Sequence, residues 1–142
     1  MNSEVTEIKL KRFDPKKIDP CRTCMIIAKR GTGKSVLIRD LMWHLKDKLP
    51  FGMCMSGSEI GNGFYGEMMP KSFVYDDFDE NACQKLVMRQ QYMVQNKKKN
   101  PESFLILDDL MTESKKIVKD PSIRTIFLNG RHFKLLFIMA LL

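Results

Sequence analysis

Lys34 and Ser35 close the run Ala28-Lys29-Arg30-Gly31-Thr32-Gly33-Lys34-Ser35, and far downstream the adjacent acids Asp108 and Asp109 close the apolar run FLIL. Such side chains suit phosphate chemistry. A glycine-rich loop entering a helix turns successive backbone N–H groups toward an anion, and a lysine adds a point charge. Here Gly31 and Gly33 give the backbone its freedom, Lys34 reaches the β- and γ-phosphates, and Ser35 offers its hydroxyl to Mg²⁺. Asp108 is placed to hold the metal through water, and Asp109 to orient or deprotonate an attacking water. The usual pattern G-x-x-x-x-G-K-[ST] has glycine where Ala28 stands, and a methyl group is tolerated at a strand end if φ is negative.

The elements needed to position these groups can be read around them. Cys24 to Ala28 reads as a short buried strand, and Ser35 opens a helix with Leu37, Ile38, Leu41, Met42 and Leu45 at helical spacing, ending before Pro50. Gly52 to Ser56 predicts a second strand, followed by a glycine-rich loop from Gly57 to Gly66 and an edge strand at Phe73 to Tyr75. Asp76, Asp77 and Asp79 sit where acids favour a helix start, and that helix carries Leu86, Val87, Met93 and Val94 before fraying into Gln95 to Pro101. Phe104 to Leu107 predicts a fully buried strand. Asp120-Pro121 opens a short helix ending at Gly130, and Leu135 to Leu142 predicts a last buried strand. Alternating units of this kind imply an α/β fold, a mostly parallel sheet with helices on both faces.

At 142 residues, with 44% hydrophobic and 29% charged residues, the chain suits one domain. Residues 1–20 read as a lead-in and 24–142 as the core. The longest apolar run falls well short of a membrane span, and Met1 to Lys17 lacks the apolar region of a signal peptide. Both point to a cytosol-like compartment. The C-x-x-C at Cys21 and Cys24 has no second closely spaced Cys/His pair, so the cysteines read as reduced thiols and not as a zinc site. The net charge of +7 comes from 24 basic against 17 acidic residues, clustered at Lys9/Lys11/Arg12, Lys16/Lys17, Lys97 to Lys99 and Lys115/Lys116. That surplus favours polyanionic partners, nucleic acid first, and serves equally as a solubilising surface.

AKRGTGKS, FLILDD and NGRHFKLLFIM, in that order and spacing, resemble the virion DNA-packaging ATPases of poxviruses and other large nucleocytoplasmic DNA viruses, within the FtsK–HerA superfamily of P-loop motors. The resemblance covers roughly Phe13 to Met139. It implies a three-layer P-loop fold, ATP and Mg²⁺ as cofactors, and an oligomeric ring driving double-stranded DNA into a capsid through capsid or portal components. It implies localisation to the virion and to cytoplasmic assembly sites. It makes residues 28–35 the nucleotide loop, with Lys34 and Ser35 contacting phosphate and Mg²⁺, and Asp108 the metal-holding acid. Asp109 falls where related motors often carry a glutamate base, and Arg131 where an arginine finger enters the neighbouring subunit's site, with Arg124 in reserve. Related motors usually end the last strand in a polar sensor and continue, whereas Ala140, Leu141 and Leu142 stand here, giving the expectation of a core incomplete at its C-terminus.

Three other functions share the loop. A small-molecule kinase should show lid arginines, a GTPase needs N-K-x-D where Asn96 is followed by lysines, and an interaction module would bind nucleotide without hydrolysis.

Overall fold

The computed structural model describes residues 7–142; the first six residues of the expected lead-in lie outside the described residues. The chain order is β1 (Thr23–Ile27), α1 (Lys34–Leu45), β2 (Phe51–Ser56), α2 (Glu59–Asn62), β3 (Val74–Tyr75), α3 (Glu80–Gln95), β4 (Ser103–Asp108), α4 (Ser114–Lys119), α5 (Pro121–Asn129) and β5 (Leu135–Leu141). The five strands form one sheet in the order β1-β5-β4-β2-β3, and every pairing is parallel.

Period-two alternation divides the core into two layers. Met53, Met55, Leu105, Leu107, Leu135 and Phe137 point to the face covered by α3, α4 and α5. Cys54, Phe104, Ile106, Leu136 and Ile138 point to the face covered by α1. Both faces of β4 and β5 are thus covered, which explains why these strands read as unbroken apolar runs. β1 and β3 are the outer strands. Nothing from α3 to α5 reaches over β1, so Cys24 and Ile26 pack toward α1 while Met25 (47% exposed) and Ile27 (68%) face outward.

Helix starts follow local chemistry. The Asp79 carboxylate accepts from the Ala82 N–H, and Asp120 accepts from the Ile123 N–H at 2.9 Å ahead of Pro121, each side chain satisfying a backbone donor that has no intrahelical acceptor. Because Asp120 is buried, its replacement by alanine should cost about 1 kcal/mol, read as a lower urea midpoint at unchanged slope, with Asp120→Asn retaining most of the stability. An unchanged alanine midpoint would contradict the cap.

Two expectations need adjustment. The glycine-rich segment after β2 is not plain loop: it carries α2 and a single 3₁₀ turn over Tyr65–Glu67. α4, which no sequence pattern announced, packs Ile117 into the core between β4 and α5. No helix among the described residues is long and apolar enough to cross a membrane.

Candidate functional site

Strands of a parallel sheet end together, and their C-terminal ends gather the loop after β1, the acids after β4 and the segment after β2. The register sets Ser56, Asp108 and Ala140 side by side on β2, β4 and β5, and Ile27 beside Leu141. β5 therefore separates the strand that leads into the glycine-lysine loop from the strand that carries the acids, and α1 must reach across it.

Ser35 makes that reach, its Oγ donating to Asp108 Oδ2 at 2.7 Å. Gly31 (φ 75°) and Gly33 (φ 92°) take left-handed conformations that side chains rarely adopt, and Gly33 precedes α1 without a side-chain cap. The N-terminal amides of α1 thus remain available to an anion. Thr32 Oγ1 donates to the Lys29 carbonyl at 2.6 Å and closes the loop. Lys34 folds back, its Nζ donating to the carbonyls of Ala28 (3.2 Å) and Leu141 (3.1 Å), and so bridges β1 to β5. Ala28 is not among the non-glycine residues with positive φ, so its methyl group carries no backbone strain.

Asp109 does have positive φ, 54°, and Gly57 explains how the turn is accommodated: a Cβ at Gly57 would stand 2.2 Å from the Asp109 carbonyl oxygen. A cavity of about 410 Å³ opens here, lined by Arg30, Gly31, Gly33, Lys34, Ser35, Val36, Ser58, Asp108, Asp109 and Leu142. Most of the predicted nucleotide and metal residues therefore meet at one opening. A more apolar hollow of about 540 Å³, lined by Met42, Trp43, Met68, Met69 and Phe104 among others, contains no such set.

Sequence reasoning missed Tyr65. Its ring is buried (1% exposed), and its hydroxyl donates to the same Asp108 oxygen at 2.6 Å. Burial first, then the bond to Asp108, pushes the phenol above its usual range, so it remains a donor through neutral pH. The Glu59 carboxylate seats it by accepting from the Tyr65 and Gly66 N–H groups at 2.9 and 2.8 Å. Asp108, 3% exposed, thus has Oδ2 fixed by two hydroxyls, while Oδ1 has no hydrogen-bond partner among the described residues. Only the glycines around it, in GNGFYG, hinted that this segment is special.

The donor set fits a hard divalent cation. Ser35 Oγ and Asp108 Oδ2 meet at 2.7 Å beside the cavity, and a hydroxyl next to a carboxylate supplies the oxygen donors that such an ion would take, directly or through water. Lys34 and the α1 amides fit the phosphates that such an ion would accompany.

Arg131 is not part of this cluster. It is exposed in the turn before β5, at the start of a strand whose other end borders the cavity, about 20 Å away at 3.3 Å per residue. It does not reach this cavity. Arg124, exposed on α5, places its Nε 3.4 Å from the Val118 carbonyl. Cys54 and Cys83 are buried thiols whose pKa values burial raises, and Cys21 and Cys24 are half-buried and raised for the same leading reason. No group of three metal-ligating side chains occurs among the described residues.

No protein-family model matches the chain. It is 38% identical over 148 residues to uncharacterized protein 075L of Invertebrate iridescent virus 6, covering 98% of this chain and 57% of that protein. It is 39% identical over 120 residues to uncharacterized protein 088R of Invertebrate iridescent virus 3, covering 82% and 44%. Its identity to uncharacterized protein L437 of Acanthamoeba polyphaga mimivirus is 32% over 145 residues, covering 95% and 50%. All three are viral proteins. The chain spans about half the length of these curated relatives.

Proposed function

We propose that the chain is the P-loop nucleotide-binding core of an ATP-hydrolysing motor that packages double-stranded viral DNA. The observation that carries this is the Ser35–Asp108 contact at 2.7 Å, which joins the glycine-lysine loop to the strand-end acids across β5. Lys34 would leave its two carbonyl partners for the β- and γ-phosphates, residues 28–33 would wrap the phosphate chain, and the α1 amides would add their partial positive charge. Ser35 and Asp108 would hold Mg²⁺, which when bound neutralises charge on the transferring phosphate. Asp109, on the cavity rim, would accept the proton of the attacking water. Arg131 would serve only a neighbouring subunit in a ring, because its own cavity lies beyond its reach. The net charge of +7 favours a polyanionic partner such as DNA.

The test is Mg²⁺-dependent binding of a fluorescent ATP analogue, followed by ATP hydrolysis with and without double-stranded DNA across a salt series. Binding, and hydrolysis that duplex DNA accelerates at low salt, are expected. Hydrolysis indifferent to duplex DNA at every salt concentration would remove the packaging function, and absence of nucleotide binding would remove the P-loop assignment as well.

A further inference from the structure

The parallel topology sorts the charges as well as the strands. Segments that lead into strands share one end of the sheet, and that end collects cations: Lys16, Lys17 and Arg22 before β1, Lys46 and Lys48 before β2, Lys97 to Lys99 before β4, and Lys134 before β5. All are exposed. Four acids share these approaches, Asp14, Asp19, Asp47 and Glu102, so the cations are in excess there, while the opposite end holds Asp76, Asp77, Asp108, Asp109 and Glu113 with the glycine-lysine loop as its basic exception.

The four basic segments form one surface. Lys48 Nζ donates to the Lys16 carbonyl at 3.0 Å, and one groove is lined jointly by Pro20, Asp47, Lys48, Pro50, Asn100 and Glu102. The Phe137 N–H donates to the Arg22 carbonyl at 3.0 Å, which places the start of β5 beside the approach to β1. The surface is also rigidly built. Gln90, fully buried on α3, donates from Nε2 to the Pro101 carbonyl at 2.7 Å and the Phe133 carbonyl at 2.8 Å, tying the approaches to β4 and β5 together. Of the basic residues named here, only Arg22 forms an ion pair among the described residues, with Asp19.

We propose that this end of the sheet binds the phosphate backbone of double-stranded nucleic acid. Unpaired, exposed lysines on a fixed frame release counterions when phosphates replace them. Single strands prefer open aromatic platforms for their bases. Beside the approaches to β2 and β4 the exposed rings lie under cations, Trp43 under Lys46 Nζ at 3.5 Å and Tyr92 under Lys98 Nζ at 5.8 Å, which leaves Phe13 before β1 as a single open ring and not a platform. A membrane surface would need exposed apolar side chains among the lysines. Such side chains accompany the cations only on the approach to β1, where Ile8, Leu10 and Phe13 are exposed; the segments before β4 and β5 carry no large exposed apolar side chain. The assignment rests on the nucleic-acid partner of the proposed function and adds which surface meets it, leaving the nucleotide cavity free at the opposite end.

The experiment measures binding of a fluorescent 30-base-pair duplex by the whole chain, without nucleotide, across a salt series. The Lys97→Gln/Lys98→Gln/Lys99→Gln variant should lose at least tenfold in affinity at low salt and flatten the log–log salt slope by about 2 to 3 units. The Lys115→Gln/Lys116→Gln/Lys119→Gln variant removes the same charge from α4 and should match the parent; circular dichroism should show both variants folded. Equal losses in the two variants would show only a net-charge effect and overturn the surface, as would an unchanged slope in the Lys97 to Lys99 variant. Loss of binding to phosphatidylserine vesicles with duplex binding intact would overturn it in favour of a membrane. If the parent binds no duplex at all, this surface and the packaging function fall together while nucleotide binding can still stand.

Discussion

Replacing Lys34 with alanine should reduce ATP hydrolysis by roughly 10²- to 10³-fold, the scale of removing one preorganised charged donor from a phosphoryl-transfer site. Nucleotide affinity should fall less, by roughly 10- to 150-fold, because a hydrogen bond to a charged group contributes about 1.5–3 kcal/mol in the ground state. The structure adds a second consequence. Lys34 Nζ holds the Ala28 and Leu141 carbonyls together, so alanine also removes a bridge between β1 and β5, and arginine, with a longer and planar head, would not restore it. Steady-state hydrolysis and titration of a fluorescent ATP analogue separate the effects. A Lys34→Ala protein that hydrolyses ATP at the parent rate would sink the P-loop assignment.

The second large effect is expected at Asp108. Asp108→Asn keeps the shape of the side chain but removes its charge, and hydrolysis should fall at least 10²-fold with a strongly raised Mg²⁺ requirement. It should also lower stability by about 1–3 kcal/mol, since two hydroxyl donors, one fully buried, converge on the replaced carboxylate. Tyr65→Phe separates the two roles. The ring still packs, only the 2.6 Å bond is lost, and the Mg²⁺ requirement should rise about tenfold while affinity for nucleotide in EDTA is unchanged. If Tyr65→Phe and Asp108→Asn act additively, the two residues are uncoupled and the tyrosine does not position the acid.

Some of this arrangement was legible in the residue order. FLILDD carried its own strand and its own stop, because a strand covered on both faces is apolar throughout and its acids emerge where the sheet ends. Asp120-Pro121 announced α5 through capping chemistry that needs no partner from elsewhere in the chain. Other features depend on contacts between distant segments. α4 is six mostly polar residues with one buried side chain, Ile117, and too short for a periodic pattern to emerge. The insertion of β5 between β1 and β4 follows from pairing that no local sequence encodes. Tyr65 in GNGFYG resembles any loop aromatic until the fold delivers its hydroxyl to Asp108. Arg131 carried the right chemistry, and strand direction alone sends it to the far end of the sheet.

β1 brings a different consequence, one of handling in solution. It carries the glycine-lysine loop yet forms one margin of the sheet, pairing with β5 alone among the described residues and exposing Met25 and Ile27. A margin with unpaired N–H and C=O groups and apolar side chains is a template for another strand, and Thr23–Ile27 has no lysine or proline of its own to block it. Concentrated protein should therefore be prone to edge-to-edge association beginning at the same strand that leads into the glycine-lysine loop. Aggregation and loss of nucleotide binding would then proceed together, and protein concentration becomes a variable to fix before any rate is compared.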